Sequence, residues 1–386
     1  MGKGAEPQPG REAAAITCIT QASEIEELAA AWDALHARSS KAHLFQSHAW
    51  VSAWLRHRPE GRPRVYVARR GDRLTAALAL CAHQSGRPPF GVRTLRVATD
   101  YSDFCDALAD PEHPADLAAL WTRVLEEGGW HLIDLHYLAP DSHLMTLVQR
   151  THGPWRVHRA PQDVAPYLDL RGNWRDTVSK GHRSDWMRRR RRLEEQGPVT
   201  LTRIQTLAAV DALLEEFARL HIERWQGKGE TSAYRFPESR AFLRDVCQGL
   251  LRRDQLYLYR LAAGDATVSI GLYALFGRRL LPYSYTFAPE FARFCPVHLL
   301  ILAVVEEMER LGLADVLDFG RGDEEYKLRW TQAIRPLERA VIARRSPIAQ
   351  GAYWWATAGK PRLWRHQRLH ALVREARNRL RLRRHH

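Results

Sequence analysis

Cysteine is scarce in this chain. The 386 residues hold five (Cys18, Cys81, Cys105, Cys247, Cys295), odd in number and far apart, with no CxxC pair and no zinc-type spacing. That excludes a disulfide scaffold and a structural zinc module, and reduced thiols in a cytoplasmic protein are the expectation. Long hydrophobic runs are missing too. The longest, Leu299 to Val305, falls far short of the roughly 20 apolar residues that span a bilayer. The opening MGKGAEPQPGREAAA has no apolar core, so no secretory signal is read there, and Glu6 stands where a myristoylation signal carries Ser or Thr. No internal repeat is evident. With 45% hydrophobic and 26% charged residues, the chain has enough apolar material for a globular core, and its length suits two domains.

The net charge of +14 is concentrated. Residues 180–192 carry seven basic side chains (Lys180, Arg183, Arg188 to Arg192) against Asp185. Residues 360–386 carry ten basic side chains against Glu375, so the rest of the chain is near neutral. A general polycation is excluded, and the two patches are separate questions. The first lies on an expected helix and calls for an anionic partner or a solvated face. The second aligns Leu369, Leu372, Val373, Ala376 and Leu380 at helical spacing among arginines. Such a basic amphipathic helix suits an anionic membrane surface or an acidic protein, or it packs on the protein's own body.

Periodicity predicts two successive units of mixed structure. The first has helices over Glu24–Ala37, Ala49–Arg56 and Leu117–Glu126. Its strands are Val65–Ala68, Leu74–Ala82, Val92–Val97 and His131–Leu135. The second has helices over Trp174–Glu195, Ala209–Gln226, Ser239–Arg252 and Pro296–Leu311. Its strands are Tyr167–Leu170, Val199–Ile204, Leu256–Ala262, Thr267–Phe276, Leu280–Thr286 and Val316–Asp318. This is an α+β class, helices on a mostly antiparallel sheet. The expected division is a leader (1–14), an N-terminal domain (15–165), a C-terminal catalytic domain (166–345) and a basic tail (346–386).

Three stretches carry chemistry. Leu317–Trp330, LDFGRGDEEYKLRW, runs a strand into Gly320-Arg321-Gly322 and then offers Asp323, Glu324, Tyr326 and Lys327 as acid, base or hydrogen-bonding groups. His221–Gly229, HIERWQGKG, puts His221 and Trp225 on one helix face. The third stretch contains Tyr283-Ser284-Tyr285 and, at a helix start, Pro296, where free N–H groups can hold an anion.

With Phe45-Gln46-Ser47, Trp50 and Trp54, Ser179-Lys180 with Arg183, and the strand Thr267–Leu272, these stretches resemble the CelD/BcsL-type acetyltransferases of the GNAT superfamily, relatives of the FemABX aminoacyltransferases. The resemblance spans roughly residues 15–345 and implies two tandem GNAT-like domains and transfer of an acyl group to an amine or hydroxyl. Val297-His298 follow Pro296 where family members often carry Gly, which leaves the donor open between acyl-CoA and an acyl carrier protein thioester. No metal is expected.

The expected reaction is attack of an amine on the thioester. His221 or Asp323 is the candidate base, Tyr285 or Tyr326 the candidate acid, and Lys327 a group that orients Asp323 or meets the donor. Lys180, Arg183, Trp225, Lys228, Ser269 and Arg321 are the candidate donor-binding residues. The acceptor is a small molecule, a peptide side chain or a sugar amine. An acidic carrier protein or an anionic membrane surface is a possible partner of residues 361–386, with nucleic acid ranked behind. Two rival readings are an aminoacyl-tRNA-dependent FemABX-like transferase and a non-catalytic GNAT-fold binding protein tethered by its tail. The expected location is cytoplasmic, with peripheral attachment to the inner membrane surface as a variant.

Overall fold

A computed structural model describes residues 13–57, 61–86, 91–99, 102–227 and 229–359. The basic tail from residue 360, most of the expected leader, and Lys228 lie outside the described residues.

In chain order the first half comprises β1 (Ala15–Ile19), α1 (Ala22–Glu27), α2 (Ala29–Arg38), α3 (His48–His57), β2 (Arg62–Arg70), β3 (Arg73–Ser85), β4 (Val92–Val97), β5 (Leu108–Ala109), α4 (Pro114–Glu127), β6 (Leu132–Leu138) and α5 (His143–Gln149). β7 (Arg156–Asp169) leads into the second half: α6 (Lys180–Glu194), β8 (Val199–Ile204), α7 (Leu207–Gln226), α8 (Pro237–Leu251), β9 (Leu256–Ala263), β10 (Ala266–Phe276), β11 (Arg279–Phe287), α9 (Pro296–Leu311), β12 (Val316–Asp318), α10 (Glu325–Leu328), β13 (Ile334–Ala343) and α11 (Pro347–Trp354).

Local chemistry explains most of these elements. Three hairpins, β2–β3, β9–β10 and β10–β11, close through two-residue turns whose first residue is Gly71, Gly264 or Gly277, at φ of +56°, +57° and +56°. A β-carbon there is strained, so glycine sets each turn. α4 buries Leu117, Leu120, Trp121, Val124 and Leu125, one face of a helix entered through Pro114. Ser142, Ser179 and Thr206 cap α5, α6 and α7 by accepting from the N–H three residues on. α6 therefore begins at Lys180, and Trp174–Asp176 is a separate 3-10 turn rather than the start of one long helix.

All strands among the described residues join one sheet of 13, ordered β1-β2-β3-β4-β6-β13-β7-β12-β11-β10-β9-β8, with β5 beside β3. Each half repeats one plan: four antiparallel strands, then a parallel neighbour, β4 with β6 and β11 with β12. The fold is α+β with a large, mostly antiparallel sheet flanked by helices. β7 is the seam. Its residues 156–166 pair with β13 and its last three, Tyr167 to Asp169, with β12. β13, far along the chain, lies between β6 and β7 in the N-terminal half of the sheet. α3 packs its Trp50 and Trp54 edge-on to Phe242 of α8, so the two halves also share a core.

Candidate active site

The site begins where two strands part. β11 and β12 pair in parallel at only two positions, Arg279 with Val316 and Leu280 with Leu317. β12 then ends at Asp318, whereas β11 runs on to Phe287. Among the described residues, the edge of β11 from Leu281 to Phe287 is thus left without a neighbouring strand on the β12 side. An extended chain of amides can pair with such an edge.

The wall opposite is the loop 319–324. Phe319 N–H donates to Pro166 O (3.0 Å) and Gly322 N–H to Val164 O (2.8 Å), which holds the loop against β7. Asp318, fully buried, anchors its start by accepting from Gly320 N–H (3.1 Å) and Arg335 Nη1 (2.9 Å). Gly320 has φ of +69°, and a β-carbon there would fall 2.2 Å from Asp103 Oδ2. Only glycine admits that approach.

Lys327 is 4% exposed. Its Nζ donates to Arg321 O (2.5 Å) and Gly322 O (3.3 Å) and pairs with Glu324 Oε2 (2.8 Å). The ammonium therefore ties the loop together. It pairs with Glu324 and not with Asp323, the partner expected from sequence. Asp323 is exposed and makes no hydrogen bond or ion pair among the described residues. Arg321 lies with its guanidinium 4.0 Å from the centre of the Tyr137 ring and 3.7 Å from Asp103 Oδ1.

His221 faces an aromatic box. It stacks on Trp225 (5.5 Å, 12°), meets Tyr234 edge-on (4.8 Å), and its Nδ1 lies 2.8 Å from Ser232 Oγ. Burial, with the nearby Arg224 cation, pushes its imidazolium pKa down to about 4. A neutral imidazole of that basicity is a poor match to an ammonium of pKa about 10.

Tyr285 lies on β11 and Tyr326 on α10, and burial raises both phenols well above their ordinary value. They stay protonated at neutral pH, able to donate and unable to act as bases. Arg224 Nη1 reaches the Tyr285 carbonyl (3.4 Å), and burial lowers its own guanidinium pKa. Ser269 is fully buried, with its hydroxyl donating to Thr286 O (2.7 Å), so it joins β10 to β11 and is closed off from a bound donor. Lys180 is exposed at the first turn of α6, and Arg183 has a buried Nε without a hydrogen-bond partner.

Asp103, which sequence reasoning passed over, completes the site. It reaches the loop from the N-terminal half, in the segment that follows β4. Burial pushes its carboxyl up to about 6 against the opposing pull of Arg321 and Lys327. Its side chain is still 24% exposed. A carboxylate kept ionised at that cost, next to the parted strands, has the basicity a proton acceptor needs near neutral pH. The acidic, aromatic run TDYSDFCD at 99–106 between two strands was the available signal.

Anion-holding groups cluster beside the start of α9. Pro296 has no N–H and His298 N–H bonds back to Cys295 O, so the first turn has few donors to offer. A groove of ≈ 330 Å³ next to it is lined by Arg188, Arg189, Arg192 and Arg293 with Glu195 and Phe294. Among the described residues no group of three or more His, Cys, Asp or Glu is placed to hold a metal ion.

Residues 180–328 match the family described as acetyltransferase (GNAT) domain. The chain thus carries a GNAT acetyltransferase domain and is an acyltransferase of that type. The fold is similar to that of FemX, at 12% identity, with 84% of this chain and 96% of that one covered and a TM-score of 0.57. It is also similar to the C-terminal domain of a putative lysylphosphatidylglycerol synthetase from Agrobacterium fabrum (13% identity, 87% and 97% covered, TM-score 0.54). A conserved protein of unknown function from Bacteroides thetaiotaomicron VPI-5482 shares it as well (10% identity, 86% and 100% covered, TM-score 0.55). At these identities the likeness is one of fold. No curated protein matches the chain as a relative.

Proposed function

We propose that the protein is an N-acyltransferase of the CelD/BcsL type that moves an acyl group from a thioester to an amine, with Asp103 as the proton acceptor. The observation that carries this reading is the partly buried Asp103 carboxylate held against Gly320 and Arg321 beside the open edge of β11. The amine nitrogen attacks the thioester carbon and forms the C–N bond. Asp103 takes the proton that the nitrogen must lose. The oxygen gathers negative charge, and backbone N–H groups on the β11 edge can meet it. The C–S bond then breaks, with the Tyr326 or Tyr285 hydroxyl donating a hydrogen bond to the leaving thiolate, which takes its proton from water. The donor's amide-rich arm lies along the β11 edge, and its phosphates fall to the arginines beside α9, as an acyl-CoA or a carrier-protein arm requires. His221 shapes the aromatic wall, and Lys327 holds the loop.

A panel of acyl-CoA and acyl carrier protein thioesters, offered with simple amines and followed by free-thiol release, tests this. Asp103→Asn should cut kcat/KM by about 10²-fold or more with the fold intact. His221→Ala and Asp323→Ala should each keep the rate within about tenfold, and a loss of 10²-fold in either would move the base to that residue. The arginine groove also favours one second reading, an aminoacyl-tRNA-dependent transfer. Activity that requires tRNA and falls steeply with salt would establish it.

A further inference from the structure

We infer that the surface formed by Trp354 and Trp355 docks this protein onto an anionic lipid bilayer. α11 and the single π-turn that continues it (Trp355–Gly359) lie on the sheet, with Ala352, Tyr353 and Ala356 packed against Leu132, Val341 and Ala343. That packing uses one side of the element. The other side holds Trp354 and Trp355, 58% and 49% exposed and adjacent in sequence. Single exposed apolar residues are ordinary, but two neighbouring indoles in water leave a large apolar area uncovered.

Charge identifies what covers it. Arg156 is exposed, donates to Gln350 Oε1 (2.8 Å) and sits 5.4 Å from the Tyr353 ring, and Arg345 is exposed one residue before the Ser346 cap. The sequence directly after Gly359 carries ten basic residues against one acidic over 360–386, with a further tryptophan at 364 and leucines at helical spacing. A nucleic acid duplex would satisfy the arginines and leave the indoles in water, because its bases are already stacked on one another. A bilayer with anionic headgroups satisfies both, because tryptophan partitions to the headgroup boundary and basic side chains are drawn to the surface potential. Among the described residues no helix is long and apolar enough to cross a membrane, so the attachment is to the surface.

The test is co-sedimentation of the full chain with phosphatidylcholine vesicles, with and without a phosphatidylglycerol fraction, at low and high salt. Binding is expected only with phosphatidylglycerol and should weaken with salt. Trp354→Ser with Trp355→Ser should lower the partition coefficient by about tenfold or more, with an unchanged thermal melt because neither ring is in the core. Replacing Arg374, Arg377, Arg379 and Arg381 by Gln in the full chain should abolish the preference for phosphatidylglycerol. Wild-type protein that stays in the supernatant, or a double tryptophan variant that binds as the wild type does, overturns the inference. Equal binding to both vesicle types overturns the anionic surface. A double variant that converts a dimer to a monomer with no vesicle binding in either form assigns the surface to self-association instead.

Discussion

Asp103→Asn separates function from stability at one carboxyl. Burial raises the folded-state pKa from 3.8 to about 6. A shift of roughly two units corresponds to about 3 kcal/mol of penalty on the ionised form. The side chain is 24% exposed and Arg321 loses a partner 3.7 Å away, so the net gain on neutralisation should be nearer 2 kcal/mol. The sign follows from the raised value. Below pH 4 the carboxyl is protonated whether the chain is folded or not, and it costs nothing. Between pH 4 and 6 the unfolded chain releases the proton before the folded one does, so the penalty grows. Above pH 6 it is complete. Asn cannot ionise, so the variant should melt a few degrees higher than wild type at pH 8 and at the same temperature near pH 4. Its kcat/KM should fall by about 10²-fold or more, and the acid limb near pH 6 should vanish from the pH–rate profile. Differential scanning fluorimetry at the two pH values and thiol release supply both readouts. A variant that melts no higher at pH 8 and turns over normally would refute the argument at both ends.

Gly320→Ala should destabilise the loop by about 1–3 kcal/mol, because it adds a β-carbon at positive φ on top of Asp103 Oδ2, and turnover should fall with it; denaturant melts and rates check both. Lys327→Met removes the ammonium from two loop carbonyls and should cost about 1–3 kcal/mol per unmet acceptor, reduced because Glu324 is 58% exposed and can be solvated. The expected result is a lower melting temperature and greater protease sensitivity near residue 321. Trp330 is fully buried, stacks on Trp186 at 4.2 Å and donates to His298 Nδ1 (3.1 Å), so Trp330→Ala should cost about 3–5 kcal/mol and prevent recovery of folded protein at 37 °C. His221 is neutral in the folded protein with a pKa pushed down to about 4, so its contribution to stability is complete above pH 6.5 and is lost as pH falls through that window. His221→Gln should therefore flatten the acid side of the stability curve without removing the kinetic limb near pH 6.

What the sequence determined by itself was local. Gly71, Gly264 and Gly277 set three hairpins, Pro296 and Gly312 bound α9 at both ends, and α4 declares its buried face by its spacing. These signals act over a few residues, where conformational preference and periodicity decide. β13 was not legible, and only the last residues of β7 were. Both carry prolines, at 161, 166 and 336, and alternate weakly; they hold as strands because each pairs with the other across more than 160 residues of chain. The site divides in the same way. Arg321, Lys327, Tyr285 and Tyr326 were named from residue type and position, and the structure places all four around the parted strands. His221 and Asp323 were chosen on the same grounds, but burial makes one a weak base and the other is exposed, without a partner among the described residues. Basicity depends on desolvation and neighbours, which residue type does not encode. Asp103 belongs to the site only because the sheet brings it to Gly320 and Arg321, more than 200 positions away, so only the tertiary structure could select it.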